Sequence, residues 1–507
     1  MPTVGMPERP DLDRFRQQAR ALQRAVRAGD PDAVGRVQHH HPDGVSSDAA
    51  AFRLSAAQLV VAREYGFASW ARLKRYVDTA VEYGWDNALS LAPATDPADE
   101  FCRLACLTYT REDGAPRWAQ ARRVLAEHPE LTRASIWSAA AAARPDDVHR
   151  LLVEQPGRAL ERGGPFRWRP LCYLAYSRFD PDVSADAVVS VARQLIAAGA
   201  DPNEGYLFTG LTPAFTLLTG VFGEGELGPR RQPCHPHWRE LARLLLDAGA
   251  DPNDGQTLYN RMFSANNEHL ELLFEYGLGR GDGGPWRARA GDLVDGPAEL
   301  LRTQLRWAVE HHQIARVRLL VEHNVDFRSP YLGDGPAWRP GDGRTPTELA
   351  RLNGDAEIMD YLVSQGAPPP EPDPVSDLIA AVLRAEVSTV EQIQVEHSDA
   401  VAEARRTRPG LIVWAAAQAQ APVRAVELLV ELGFDVNALG RADAPVEAPW
   451  ETALHHAAGH GDVDLTRRLL ELGADPSIPD KRFNATALDW ARHLHQQATA
   501  DLLELEP

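Results

Sequence analysis

One phrase recurs along the chain and limits what it can fold into. It reads LIAAGADPN at Leu195–Asn203, LLLDAGADPN at Leu244–Asn253, LLVELGFDVN at Leu428–Asn437 and LLELGAD at Leu469–Asp475. Each copy carries aliphatic residues at helical spacing, then a glycine where a helix ends, then a polar turn. A unit that returns in this way cannot bury its apolar face alone, so the units must stack side by side. The length of 507 residues is also more than one hydrophobic core supports.

The clearest complete unit is TALHHAAGHGDVDLTRRLLELGAD, Thr452–Asp475. Thr452 is placed to cap a first helix, and the small Ala457 and Ala458 let paired helices approach closely. Gly461 ends that helix, Leu465, Leu469 and Leu470 form the buried face of a second, and Gly473 closes it. This unit resembles the ankyrin repeat. Weaker second-helix copies begin at Leu151, Leu272, Leu319 and Tyr361, and first-helix starts appear at Leu211, Thr345 and Thr486.

The resemblance implies an all-α fold, an ankyrin-repeat solenoid of about ten to twelve helix pairs, with an N-terminal helical cap. It divides the chain into residues 1–90, an N-terminal helical cap or accessory module; 98–367, a solenoid with long loop insertions; and 368–507, C-terminal repeats and a cap. The last two are joined by the proline-rich connector GAPPPEPDPVSD, Gly366–Asp377, which either bends the stack or breaks it. In the N-terminal segment, Leu54–Val77 reads as two helices broken at Gly66. The resemblance also assigns His455 a hydrogen bond between neighbouring turns, and it implies a binding scaffold with a protein or peptide partner. The order of GGPFRWRPLCYLAYSR, FGEGELGP, QPCHPH, DPNDGQTLYNRMF and GRGDGGPW is similar to a group of long bacterial ankyrin-repeat proteins, a likeness that implies no activity.

Composition narrows the partners. A formal charge of -19 repels polyanions, so neither nucleic acid nor an anionic membrane is expected to bind. No apolar run is long enough to cross a bilayer, and the N-terminus lacks the basic and apolar segments of a secretory signal. A cytoplasmic location is expected. Cys102, Cys106, Cys172 and Cys234 have no CxxC spacing, so they read as reduced structural thiols, with neither metal nor cofactor.

Function on a stacked array lies mostly in what departs from the repeat. Long insertions begin at Glu161, Gly220, Arg280, Ser329 and Ala438. Three of them pair a tryptophan with an arginine: Trp168 with Arg167, Trp286 with Arg287, and Trp338 with Arg339. Such pairs suit a recognition surface; the alternative is that each tryptophan tucks its own loop against the stack.

The insertion after Leu218 gathers Glu224, Glu226, Arg230, Arg231, Cys234, His235 and His237. Where an ankyrin unit would carry Leu, His and a small residue, the next turn carries Tyr259, Asn260 and Arg261. A polar cleft over residues 163–286 is therefore expected, where Tyr173, Tyr176, Glu226, His237, Tyr259 and Arg261 converge; the candidate ligand-binding residues are Tyr173, Tyr176, Tyr259, Asn260 and Arg261 there, and Trp168, Trp286 and Trp338 along a groove for a macromolecular partner. The cleft would serve a small polar ligand. If the chain is an enzyme, Glu224, Glu226, His235 and His237 are its candidate acids and bases, in a cofactor-independent cyclase, isomerase or hydrolase. The alternative is a hydrogen-bonded clasp that fixes the long insertion.

Overall fold

Threonine capping boxes start four of the first helices, at Thr216, Thr345, Thr452 and Thr486. In each, the hydroxyl accepts from the third helical N–H while that residue's side chain returns to the cap. A computed structural model describes residues 6–7, 9–42, 49–86, 92–332, 343–442 and 449–505. The chain is mostly helical, and it divides into two compact units, Met1–Gln304 and Leu305–Pro507.

Within Met1–Gln304, the helices Pro97–Ala105, Ile136–Ala141, Pro170–Tyr176, Leu217–Phe222 and Gly255–Met262 pack each against the next. A second row, Pro145–Glu154, Ala185–Ala197 and Trp238–Asp247, packs in the same order. Two first-row helices are closed in on all sides: every residue of Pro170–Tyr176 and of Leu217–Phe222 is buried. Apart from Thr219 their sequences are accordingly apolar, where a helix with one wet face would alternate.

The recurrent asparagine of the signature has a specific task. Asn203 Oδ1 accepts from Asp251 N at 2.8 Å while its Nδ2 donates to Gly249 O at 2.9 Å. Asn253 repeats this toward Gly279 N and Arg280 O, and Asn437 toward Asp475 N and Gly473 O. One side chain thus satisfies a donor and an acceptor of the following turn, fixing the spacing between successive pairs.

Between the Ala185–Ala197 and Leu217–Phe222 helices lies a departure from the helical pattern. Gly205–Phe208 (β2) and Leu211–Thr216 (β3) form an antiparallel hairpin, and Gly84–Trp85 (β1) pairs parallel with β2 in the order β1-β2-β3. The helix start expected at Leu211 is therefore moved: that stretch is a strand, and the helix begins after the Thr216 cap. Pairing with β2 holds this stretch extended, and Phe215 stacks on Tyr206 of β2 at 5.5 Å.

The N-terminal helices Leu12–Arg27, Pro31–His40, Leu54–Glu64 and Trp70–Tyr83 share a core built on Phe15, Leu22, Val61, Leu73 and Tyr76. Residues 65–69 break the last two at Gly66, whose φ is +88°. This core continues into Leu207, Ala214, Trp286, Ala290 and Val294, so the module packs against the hairpin and the Gly284–Ala290 helix. Tyr76 Oη seals the junction by donating to Gly210 O at 2.7 Å.

In Leu305–Pro507, the helices Pro346–Leu352, Pro374–Leu383, Leu411–Gln418, Ala453–His460 and Ala487–His493 pack in sequence, as do Pro422–Glu431, Val463–Glu471 and Gln497–Leu505. Helices on either side of the proline-rich connector touch, with Arg351 Nε donating to Asp377 Oδ1 at 2.7 Å.

Candidate functional site

The residues expected in one polar cleft fall into three settings. The first is an aromatic core. Trp168 stacks on Tyr206 at 4.9 Å and lies 5.0 Å from Tyr176 and 5.5 Å from Trp85. Tyr173 Oη donates to Gly163 O at 2.8 Å and Tyr176 Oη to Thr216 O at 2.7 Å. Burial pushes both phenols well above their ordinary range, so they stay protonated and donate. These side chains hold the Glu161 insertion and the hairpin against the Pro170–Tyr176 helix.

The second setting is a buried ion pair. Arg261, on the Gly255–Met262 helix, donates through Nη1 to Glu224 of the long insertion and to Cys234 Sγ, the latter at 3.2 Å. Glu224 holds a left-handed φ of +57° in its turn, and its N–H donates to Gln232 O at 2.6 Å. Asn260 beside it accepts from Gln256 Nε2 at 2.8 Å. Burial raises the Cys234 thiol above its ordinary range. Nearer solvent, Tyr259 Oη donates to Glu226 Oε1 at 2.5 Å.

The third setting holds the two histidines. His235 is buried, and its Nδ1 accepts from His237 N at 3.1 Å. Burial, aided by the nearby Arg178 cation, lowers it well below the ordinary imidazole range, so it is neutral at pH 7. His237 donates from Nε2 to Val183 O. Both rings are thereby engaged with main-chain groups of the insertion and its neighbours.

The expectation that Trp168 and Trp286 would line an exposed surface differs from what is found. Trp286 is 8% exposed, its Nε1 donates to Asn203 O at 3.0 Å, and its ring meets Tyr83 of the N-terminal module at 5.2 Å. Packing large rings inward removes more apolar area from water than leaving them on loop tips. Trp338 lies outside the described residues.

Arg178 is the organising residue that the sequence reading passed over. Buried at 5% exposure, it donates from Nε to Pro233 O at 2.8 Å, from Nη1 to Ala175 O and Ser177 O at 3.1 and 2.8 Å, and from Nη2 to Gly220 O. One guanidinium thus ties both ends of the long insertion to the preceding helix. Arg231 secures its tip by donating to Asp113 O at 3.3 Å and to Arg111 O. The sequence offered a weak signal: an arginine one residue beyond the C-cap of an apolar helix.

In the second unit, His455 Nδ1 accepts from Thr452 N at 3.2 Å and its Nε2 donates to Ala485 O at 3.0 Å, linking one turn to the next. Residues 412–470 match the family model for ankyrin repeats (many copies). No curated protein matches the chain. Beside this ankyrin segment stands a partly exposed aromatic cluster. Phe483 is 63% exposed and lies 5.9 Å from Trp450, which in turn lies 5.3 Å from Trp490. The Arg482 guanidinium sits over the Trp450 and Phe483 rings at 5.6 and 5.3 Å.

Asp480 shapes the turn that presents this cluster. Its carboxylate accepts from Arg482 N, Phe483 N and Ala485 N, and from Trp490 Nε1 at 3.0 Å. Burial pushes this carboxyl upward, but the converging N–H donors outweigh it and hold the group below its ordinary range.

Proposed function

We propose that the chain is a binding scaffold, an ankyrin-type solenoid that holds a protein or peptide partner on the aromatic and cationic surface around Trp450, Arg482, Phe483 and Trp490. Ankyrin repeats generally mediate protein–protein interaction, and the match at residues 412–470 adjoins this surface. The observation that carries the reading is Phe483, a large apolar ring left 63% exposed on a turn that Asp480 holds rigid. Exposed aromatic residues flanked by arginine are the groups on which protein partners most often anchor.

Arg482 lies over the rings and, like its neighbour Lys481, is exposed, in a chain of formal charge -19. The matching partner segment presents apolar side chains next to a carboxylate. Free cysteines and the absence, among the described residues, of any helix long and apolar enough to cross a membrane support placing the scaffold in the cytoplasm. The negative charge supports a partner other than nucleic acid. The acid–base reading of Glu224, Glu226, His235 and His237 gains nothing from the geometry, because Glu224, His235 and His237 serve the clasp around the insertion.

The test is selection of random displayed peptides on the purified chain. Enriched peptides are expected to carry an acidic residue beside aliphatic or aromatic ones. Phe483→Ala should weaken them by about 2 kcal/mol, roughly 30-fold, and Arg482→Glu should do so selectively for acidic sequences. The reading fails if enriched peptides bind both variants as well as the parent chain.

A further inference from the structure

Charge is unevenly placed along the first unit. Residues 12–77 hold 11 lysines and arginines against 6 acidic residues, a net +5, whereas residues 78–304 hold 23 against 32, a net -9. The excess is concentrated on the Leu12–Arg27 helix, which carries five arginines and one acidic residue, Asp13. Arg16, Arg20, Arg24 and Arg27 follow at intervals of four, four and three, so they lie along one face, about 17 Å from first to last. All four are exposed, while Phe15, Ala19, Leu22 and Val26 anchor the other side of the helix in the core of the N-terminal module.

Like charges at this spacing repel one another and cost stability, which acidic neighbours on the surface relieve. On other helices Arg150, Arg243, Arg424 and Arg468 are each paired with a carboxylate. On this stripe Arg16 pairs with Asp13 at 2.7 Å and Arg27 Nε donates to Phe52 O at 3.1 Å, but Arg20 and Arg24 make no ion pair among the described residues. Guanidinium forks fit carboxylates and phosphates alike. Three features favour carboxylates on a short segment. The acidic remainder of the unit repels a polyanion that runs on past the stripe. The one aromatic ring of the helix, Phe15, is buried, so no base can stack on it. The helix also exposes no large apolar side chain to enter a bilayer.

We infer that this stripe is a docking site for a short acidic segment of a partner protein, with carboxylates repeating every three to four residues so that each meets one guanidinium. The helix is already held by its buried face, so docking orders little besides the arginine side chains. The inference is independent of the partner surface around Phe483.

Fluorescence anisotropy on the full chain tests it, with a labelled alanine-based peptide carrying four glutamates at the same spacing. The peptide should bind saturably, more tightly than its glutamine version, and less tightly as salt rises. The double variant Arg20→Glu, Arg24→Glu alters two exposed side chains, so its thermal unfolding should be no lower than the parent's, and it should weaken the peptide about tenfold. Phe483→Ala should leave this binding unchanged. The assignment is overturned if the glutamate peptide does not saturate or binds no better than its glutamine version, or if the double variant binds it as tightly as the parent. It is equally overturned if Phe483→Ala weakens the peptide as much, or if a short DNA duplex or phosphatidylserine vesicles bind more tightly than the peptide and lose that binding in the double variant.

Discussion

Arg178 carries a permanent charge into the interior with main-chain carbonyls as its recorded hydrogen-bond partners. Burial lowers its pKa, yet a guanidinium stays protonated at any ordinary pH. The carbonyls are what make its burial tolerable, and removing the side chain would leave them without donors. Arg178→Ala is therefore expected to destabilise the Met1–Gln304 unit by about 3 kcal/mol, measured by urea unfolding; a loss below about 1 kcal/mol would contradict the role. His456 gives a pH dependence. Burial lowers its pKa from 6.5 to about 3, so the unfolded chain binds the proton more readily than the folded one. Stability from this group is complete above pH 6.5 and falls as pH drops toward 3. His456→Asn should flatten part of that acid slope in unfolding midpoints measured between these limits. An unchanged slope would show that other groups set it.

At the level of elements, the Pro170–Tyr176 and Leu217–Phe222 helices pack closely because position 220 has no side chain. A Cβ on Gly220 would come within 2.4 Å of the Tyr176 ring, and that ring is already fixed by its bond to Thr216 O. Gly220→Ala should cost about 2 kcal/mol through overpacking, while the equally small change Ala187→Gly, on the partly exposed face of the Ala185–Ala197 helix, should cost about 1 kcal/mol through helix propensity alone. Comparing the two by thermal unfolding checks whether close approach, beyond backbone freedom, matters at position 220. At this scale the sequence was legible where an element follows the repeat. Thr452, Gly461 and Gly473 mark the helix ends that are observed. It was less legible at Leu211–Thr216, where the apolar pattern suits helix or strand and pairing with β2 decided between them.

For the whole Met1–Gln304 unit, the decisive contact is long-range. Trp286 sits in the core shared by the N-terminal helices and the hairpin, and Gly84–Trp85 adds a parallel strand across more than a hundred residues of sequence. Trp286→Ala should cost about 3 kcal/mol. Hydrogen exchange should locate the loss in residues 70–83 and 205–216, leaving the 411–471 helices as protected as before. Unchanged protection at 70–83 would overturn this account of the docking.

What the sequence determined by itself is periodic and local. The GADPN phrase, the capping threonines and the closing glycines recur because each helix pair solves the same packing problem, so a single copy suffices to read the others. The settings of Glu224, Trp168 and Trp286 are non-periodic, and only the tertiary structure decided them. A polar residue in a loop has the same sequence whether its partner is water, a ligand or a buried Arg261. Here the cost of burying unpaired groups, together with the gain from enclosing large rings, drew those residues inward. The aromatic core around Trp168 arose from the same cause, since Trp85 and Tyr206 meet only when β1 pairs with β2.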